Sequence, residues 1–225
     1  MLQGMLAKKI GMTQIFNEDG VRIPVTVIEA GPCQVQYIRT DKKEGYWAVQ
    51  LGYDDTKDKR VKKPQREYLK TKSLKPKKFV REIRCAVEPE LKVGDEIKNS
   101  NFQVGDHLDV IGTSKGKGFQ GGMKKYGWRG GTGSHGSMFH RAPGSIGASS
   151  FPSRVMKGHG MPSHMGNVRT TVQNLLVVDV DAGNNTIAVR GAVPGANGSY
   201  VVIRLAKKKP VAPRKSPESA AQETK

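Results

Sequence analysis

A glycine-rich motif is the first candidate for chemistry in this sequence. Residues 116–121 read Gly-Lys-Gly-Phe-Gln-Gly and match the GxGxxG spacing of a dinucleotide-binding turn. Such a turn needs a following helix and a carboxylate about twenty residues later to hold a ribose hydroxyl, but no Asp or Glu occurs between Asp109 and Asp179. Residues 112–118 are also one residue too short for a phosphate-binding loop, and Gly118 stands after the Gly-Lys pair where such a loop has the Ser or Thr that binds magnesium. A nucleotide-dependent enzyme using the loop from Gly112 to Gly121 is therefore kept only as an alternative.

Histidine spacing is the second candidate. His135 and His140, like His159 and His164, are five residues apart, whereas two imidazoles that share one helical face are four apart. No cysteine or carboxylate lies among them. We expect no metal, no cofactor and no catalytic residue in this chain, and we expect the histidines to contact bases or phosphates.

Uncompensated positive charge distinguishes residues 110–178. At the chain's average of 20 acidic residues in 225, about six carboxylates would be expected there, and none is present. Such charge attracts polyphosphate, glycines allow close approach of the main chain, and aromatic faces can stack on bases. The aromatic residues concerned are Phe119, Tyr126, Trp128, Phe139 and Phe151. For any single one of these rings, the alternative to stacking on a base is packing against another part of the protein.

The elements that must position this run are short strands. Alternating or β-branched residues predict strands at 13–16, 21–28, 33–39, 46–51, 107–111, 171–180, 186–190 and 200–205, with an Asp-Gly turn in residues 17–20. Residues 64–73 predict a short helix and residues 79–85 a further strand, inside a basic stretch from 57 to 84. The predicted fold is therefore a β meander or barrel with a small α+β insertion, and the acid-free run connects two of its strands.

The whole composition points to a polyanionic partner. The net charge is +18, which opposes compaction unless an anion neutralises it. No run approaches eighteen apolar residues, so a nucleic acid is favoured over a membrane. Two distant cysteines without a CxxC pair and an N-terminus without a signal-peptide pattern predict a cytosolic protein. A general DNA-binding protein stays as a second alternative.

Several ordered motifs resemble the ribosomal protein L3 (uL3) family in its bacterial form. They are Lys8-Lys-Ile-Gly-Met-Thr-Gln-Ile-Phe16, Gly112-Thr-Ser-Lys-Gly-Lys-Gly-Phe119, His140-Arg-Ala-Pro-Gly-Ser-Ile-Gly147, Lys157-Gly-His-Gly-Met-Pro-Ser-His-Met-Gly166 and Arg190-Gly-Ala-Val-Pro-Gly195. The resemblance covers the chain to about Leu205. It implies a non-enzymatic constituent of the large ribosomal subunit that binds large-subunit (23S-type) rRNA near its 3′ region and acts early in assembly.

The resemblance also implies a domain organisation. A six-stranded β-barrel of the type found in translation proteins would be formed by residues 1–56, 107–111 and 171–205, with a basic α+β insertion and the return to the barrel at 57–106. Residues 112–170 would be a long extension threading through rRNA toward the peptidyl transferase centre, with its tip at about 128–153. Residues 206–225 predict a disordered basic tail. The extension is expected to be poorly ordered in the free protein and ordered on RNA.

Partners and contact residues follow from the same resemblance. Neighbouring proteins resembling uL14 and bL19 are expected, with no membrane and no homo-oligomer, in a cytoplasmic bacterial ribosome or an organellar one. Ala148 stands where many bacterial relatives carry a methylated glutamine, so no modification is expected there. The predicted RNA-binding residues are Lys115, Lys117, Lys124, Lys125, Trp128, Arg129, His135, His140, Arg141, Ser145, Arg154, Lys157, His159, His164 and Arg169.

Overall fold

The computed structural model describes residues 4–209, and strands dominate it. The strands are β1 Gly4–Phe16, β2 Arg22–Ala30, β3 Cys33–Arg39, β4 Ala48–Asp55, β5 Lys77–Arg84, β6 Glu96–Ile97, β7 His107–Thr113, β8 Gly118–Gln120, β9 Ser163–Met165, β10 Arg169–Asp181, β11 Thr186–Arg190 and β12 Tyr200–Leu205. The helices are α1 Asp41–Glu44, α2 Lys63–Thr71 and α3 Gly122–Tyr126, with 3-10 turns at Asp58–Arg60 and Asn99–Asn101. The prediction of a mainly β protein is confirmed. None of the described helices is long and apolar enough to cross a membrane.

Six strands form a closed barrel. Their hydrogen-bonded order is β1, β12, β7, β10, β11, β2, and β2 pairs back onto β1. The β1–β2 hairpin is closed by the predicted turn, in which the Gly20 amide donates to the Asn17 carbonyl at 2.9 Å. Alternate residues of these strands, such as Leu6, Ile28 and Ile203, are fully buried, as period-two patterning requires.

A second sheet has the order β5, β4, β3, β6. Residues 1–56 were expected to lie in the barrel, but β3 and β4 lie in this second sheet. The strand signal of residues 33–39 was correct, whereas the identity of its partners depends on contacts that no local pattern contains. Residues of the β5–β4–β3–β6 sheet, such as Val35 and Leu51, belong to the same apolar cluster as the barrel interior.

Two elements of the basic insertion formed as predicted. Helix α2 has a proline in its first turn and buries only Leu69, while the hydroxyl of Tyr68 donates to the carbonyl of Gln36 in β3 at 3.0 Å. Strand β5 pairs with β4. Most of the remaining surface of α2 is charged and exposed.

The acid-free run leaves and re-enters the barrel through neighbouring strands. Strands β7 and β10 are antiparallel, and Thr113 lies opposite Arg169. The described residues accordingly divide into two compact units, one made of residues 4–113 with 169–209 and the other of Ser114–Val168. Most of the predicted tail, from residue 210 onward, lies outside the described residues.

Candidate nucleic-acid interface

The unit Ser114–Val168 begins as a two-stranded ribbon. The Ser114 amide donates to the Val168 carbonyl at 2.9 Å, and the Lys117 amide to the Met165 carbonyl at 2.9 Å. Strands β8 and β9 continue the ladder, with Phe119 opposite His164. The Phe119 side chain is 74% exposed, so this ribbon presents an aromatic face to its surroundings.

A short helix and a tryptophan follow the ribbon. Helix α3 has five residues, and the Trp128 ring lies so close to Gly122 that a Cβ there would overlap it. Trp128 also stacks on Tyr126, with ring centroids 6.0 Å apart and an interplanar angle of 20°. Trp128 therefore packs on Tyr126 and Gly122 and stays half-buried, and its contact with RNA remains a prediction.

The GxGxxG motif does not form a dinucleotide turn. Its middle residues form β8, the following helix has only five residues, and no carboxylate lies in residues 110–178. The motif therefore lacks the helix and acid that would bind a dinucleotide.

Lys125 is a predicted RNA contact that also has partners within the protein. Its Nζ donates to the Ser163 hydroxyl and lies 5.3 Å from the centroid of the Tyr126 ring. The pKa of Tyr126 is lowered: partial desolvation raises it, but hydrogen bonds with Ser163 and Lys125 and the positive charge of Lys125 outweigh that effect. Lys125 thus helps to hold α3 against β9.

Residues 129–160 form loops with few regular hydrogen bonds. The Gly131 amide donates to the His140 carbonyl at 3.0 Å, and a Cβ on Gly131 would overlap the Phe139 carbonyl. Nδ1 of His140 lies 3.1 Å from the Thr132 carbonyl oxygen, and the Ser145 hydroxyl donates to the Gly147 carbonyl at 3.1 Å. Because glycine has no side chain, the main chain can make this close approach at Gly131.

The structure brings all the predicted contacts except Arg169 into this one unit. Arg169 is the first residue of β10. Apart from Lys125 and Trp128, which are half-buried, every predicted contact residue is exposed. The unit carries eight basic residues and no carboxylate: Lys115, Lys117, Lys124, Lys125, Arg129, Arg141, Arg154 and Lys157.

Exposed apolar side chains lie among these charges. Phe151, one of the aromatic residues proposed from the sequence to stack on bases, is 87% exposed. Met138 is 99% exposed and Met156 is 57% exposed, and neither residue was singled out from the sequence. The sequence does show these methionines among polar residues, but isolated apolar residues in a polar loop are too common to predict a functional surface. Within this unit an open hollow of about 410 Å³ is lined by Ile146, Met156, Arg154 and His159, among others.

The histidines do not form a metal site. Among residues 4–209, no group of three or more His, Cys, Asp and Glu side chains is arranged to hold a metal ion. All four histidines of the run are exposed, which leaves their rings accessible to an RNA ligand.

Comparison with known proteins identifies the family. The profile of the family described as ribosomal protein L3 matches residues 79–192. A large ribosomal subunit protein uL3 from Solibacter usitatus is 52% identical over 92% of this chain and 100% of its own length. The uL3 proteins of Brachyspira hyodysenteriae and Geobacter sulfurreducens are each 50% identical, over 92% and 91% of this chain and 95% and 97% of their own lengths. This chain therefore belongs to the bacterial-type ribosomal protein L3 (uL3) family of the large ribosomal subunit.

Proposed function

We propose that this chain binds large-subunit rRNA mainly through the unit Ser114–Val168. The observation that carries the proposal is the set of exposed lysines and arginines in a unit without any carboxylate. Because the unit contains no carboxylate, its cations form no ion pair within it, and the exposed ones are available to phosphates. The uL3 family is a structural family of the cytoplasmic ribosome, and the proposed role is structural.

The mechanism follows from charge and exposure. Exposed cations such as Arg141, Arg154 and Lys157 neutralise phosphates that RNA folding brings together, and release of counterions from the RNA drives binding. Phe119 and Phe151 present faces on which unpaired bases can stack. Glycines such as Gly131 permit main-chain approaches that a side chain would block.

The finer organisation rests on the resemblance described above. We propose that residues 112–170 form an extension that reaches toward the peptidyl transferase centre, that the body contacts neighbours resembling uL14 and bL19, and that the chain joins the subunit early in assembly. The paired exit of the run through β7 and β10 supports an extension anchored at both ends. The proposed contacts include His135, His140, Ser145, His159 and His164, which are exposed, and Arg169, which is exposed at the start of β10.

Charge reversal tests this role in the cell. Arg141→Glu or Lys157→Glu should reduce the yield of complete large subunits on sucrose gradients, because each places a carboxylate against phosphate. Lys43→Glu, at an exposed position of α1, is the control and should leave subunit yield unchanged. Equal effects at the three sites would remove the proposed role of the Ser114–Val168 unit.

Binding assays separate this function from the alternatives. Equilibrium dialysis with labelled ATP, GTP and NAD should show no saturable binding, and duplex DNA should compete poorly against a large-subunit rRNA fragment at a stated salt concentration. Micromolar affinity for any of the nucleotides would favour the enzyme, and equal competition by duplex DNA would favour a general DNA-binding protein.

A further inference from the structure

The imidazole ring of His140 is held by a hydrogen bond along one edge. Its Nδ1 lies 3.1 Å from the Thr132 carbonyl oxygen, and the His140 carbonyl accepts the Gly131 amide at 3.0 Å. The ring and the main chain of His140 are therefore both fixed to residues 131–132. Among the four histidines of the acid-free run, His140 alone has a ring hydrogen bond within residues 4–209.

This hydrogen bond decides which ring nitrogen carries a proton. A carbonyl oxygen can only accept, so Nδ1 of His140 must be the donor and carry a hydrogen. Nε2 then carries a second hydrogen only if the ring is positively charged. The Ser114–Val168 unit already holds eight lysines and arginines and has no carboxylate to stabilise a further positive charge. The free protein therefore holds His140 as a neutral imidazole whose Nε2 is a hydrogen-bond acceptor.

This acceptor is open to a ligand. The His140 side chain is exposed, and no hydrogen bond to its Nε2 occurs in the part of the chain that the structure describes. A neutral Nε2 cannot bind a phosphate oxygen, because both atoms are acceptors. It needs an O–H or N–H donor. In RNA, the ribose 2′-hydroxyl is such a donor on every nucleotide, and it is displayed even where the bases are paired.

We infer that Nε2 of His140 accepts a hydrogen bond from a ribose 2′-hydroxyl of the rRNA, and that His140 thereby helps the Ser114–Val168 unit to distinguish RNA from DNA. The neighbouring Arg141 is an exposed cation, which binds phosphate whichever sugar is present. The 2′-hydroxyl is the group that DNA lacks. This inference rests on the proposed RNA binding and replaces the base or phosphate expected for His140 by a ribose.

Nitrogen NMR reads the protonation of the ring directly. The full chain is labelled with ¹⁵N-histidine, and the His140 signals are assigned by their loss in a His140→Asn variant. Nδ1 should carry the proton and Nε2 should stay unprotonated, both in the free chain and in the complex with a large-subunit rRNA fragment. Protonation of both nitrogens in the complex would indicate a phosphate contact and would overturn the inference.

Interference mapping tests the ribose contact. The fragment is prepared as a pool with 2′-deoxynucleotides at random positions, and the bound and unbound fractions are sequenced. At least one 2′-deoxy position should be depleted from the fraction bound by the unmodified chain but not from that bound by His140→Asn, whose amide can still donate to the Thr132 carbonyl. On the all-ribose fragment, His140→Asn should bind about fivefold more weakly, as expected for one neutral hydrogen bond.

The matched control is Arg141→Gln, which should make the plot of log K against log salt shallower by about one, whereas His140→Asn should leave that slope unchanged. Identical depletion profiles for His140→Asn and the unmodified chain would overturn the inference even if affinity falls, because the donor would then lie on a base. A shallower slope for His140→Asn would overturn it too. Failure of the unmodified chain to bind the fragment would remove the proposed RNA binding and the inference with it.

Discussion

Cys33 shows how burial fixes the chemistry of a single group. Its side chain is fully buried in the apolar cluster, and its thiol donates to the Leu6 carbonyl at 3.2 Å. Desolvation raises its pKa from 9.0 to about 12, against smaller opposing effects of the Leu6 hydrogen bond and of Lys77. A thiol that stays protonated is not a nucleophile, so Cys33 is a packing residue.

The raised pKa predicts a dependence of stability on pH. The unfolded chain loses the Cys33 proton above about pH 9 while the folded chain keeps it, so the stabilisation is complete below pH 9 and is lost between pH 9 and about 12. In a Cys85→Ala background, the free energy of unfolding should fall between pH 9 and 10.5 more steeply with Cys33 than with Cys33→Ala, by about 1.4 kcal/mol per pH unit. Urea titrations at several pH values measure both slopes, and parallel slopes would contradict this assignment.

Gly122 and Trp128 form a contact that the sequence did not indicate. The choice between a base and protein as the neighbour of Trp128 depends on the conformation of the chain from 121 to 128, and glycine-rich sequence restrains that conformation weakly. The structure places the indole over Gly122 and beside Tyr126.

Gly122→Ala should displace the Trp128 ring, because the added methyl group overlaps it. With Trp47→Phe removing the other tryptophan, the Trp128 emission maximum should shift to longer wavelength as the indole gains water. Gly121→Ala is the control, since a Cβ there meets no atom within 4 Å and should leave the emission unchanged. Identical spectra for the two variants would contradict the contact.

At the scale of elements, strand positions were predictable and strand partners were not. Residues 186–190 and 200–205 were predicted with the bounds of β11 and β12, because β-branched runs between turn residues carry a local signal. β3 was predicted equally well but pairs with β4 and β6 rather than with barrel strands. Pairing depends on the side chains that strands present to one another after collapse, which are distant in sequence.

A buried lysine joins two of the barrel elements. Lys9 lies at the β1 bulge, and its Nζ donates to the carbonyls of Val193 at 2.8 Å and Gly195 at 3.2 Å. Its backbone also pairs with Ser199 and Gly198. Lys9 thereby fixes the loop between β11 and β12 against β1.

Lys9→Met should therefore destabilise the fold. The methionine keeps most of the apolar stem but leaves the two carbonyls without this donor, at a cost of about 1–3 kcal/mol in the free energy of unfolding. Lys8→Met, at a half-buried neighbouring position of β1, should change it by less than about 0.5 kcal/mol. Urea unfolding of both variants at pH 7 measures the difference, and equal losses would show that the Nζ contacts contribute nothing specific.

At the scale of the whole molecule, charge is distributed by role. The Ser114–Val168 unit holds eight cations and no carboxylate, whereas three exposed carboxylates, Glu18, Asp19 and Asp179, line one open hollow at the end of the β1–β2 hairpin. The carboxylate-free basic unit could be predicted from the sequence, because its residues are contiguous in the chain. The hollow with its three carboxylates could not, because Asp179 is distant in sequence from Glu18 and Asp19 and comes close to them only through the order of the barrel strands.

The central claim is that cations of the Ser114–Val168 unit contact rRNA phosphates, and the salt dependence of binding tests it most directly. The full chain, an Arg141→Glu, Lys157→Glu double variant and a Lys42→Glu, Lys43→Glu control on α1 are titrated with a large-subunit rRNA fragment at several salt concentrations. The account predicts that the plot of log K against log salt becomes shallower by about two for the double variant, as expected when two phosphate contacts are lost, and is unchanged for the control. Equal slopes and affinities for the double variant and the unmodified chain, or an equal loss in the control, would contradict it.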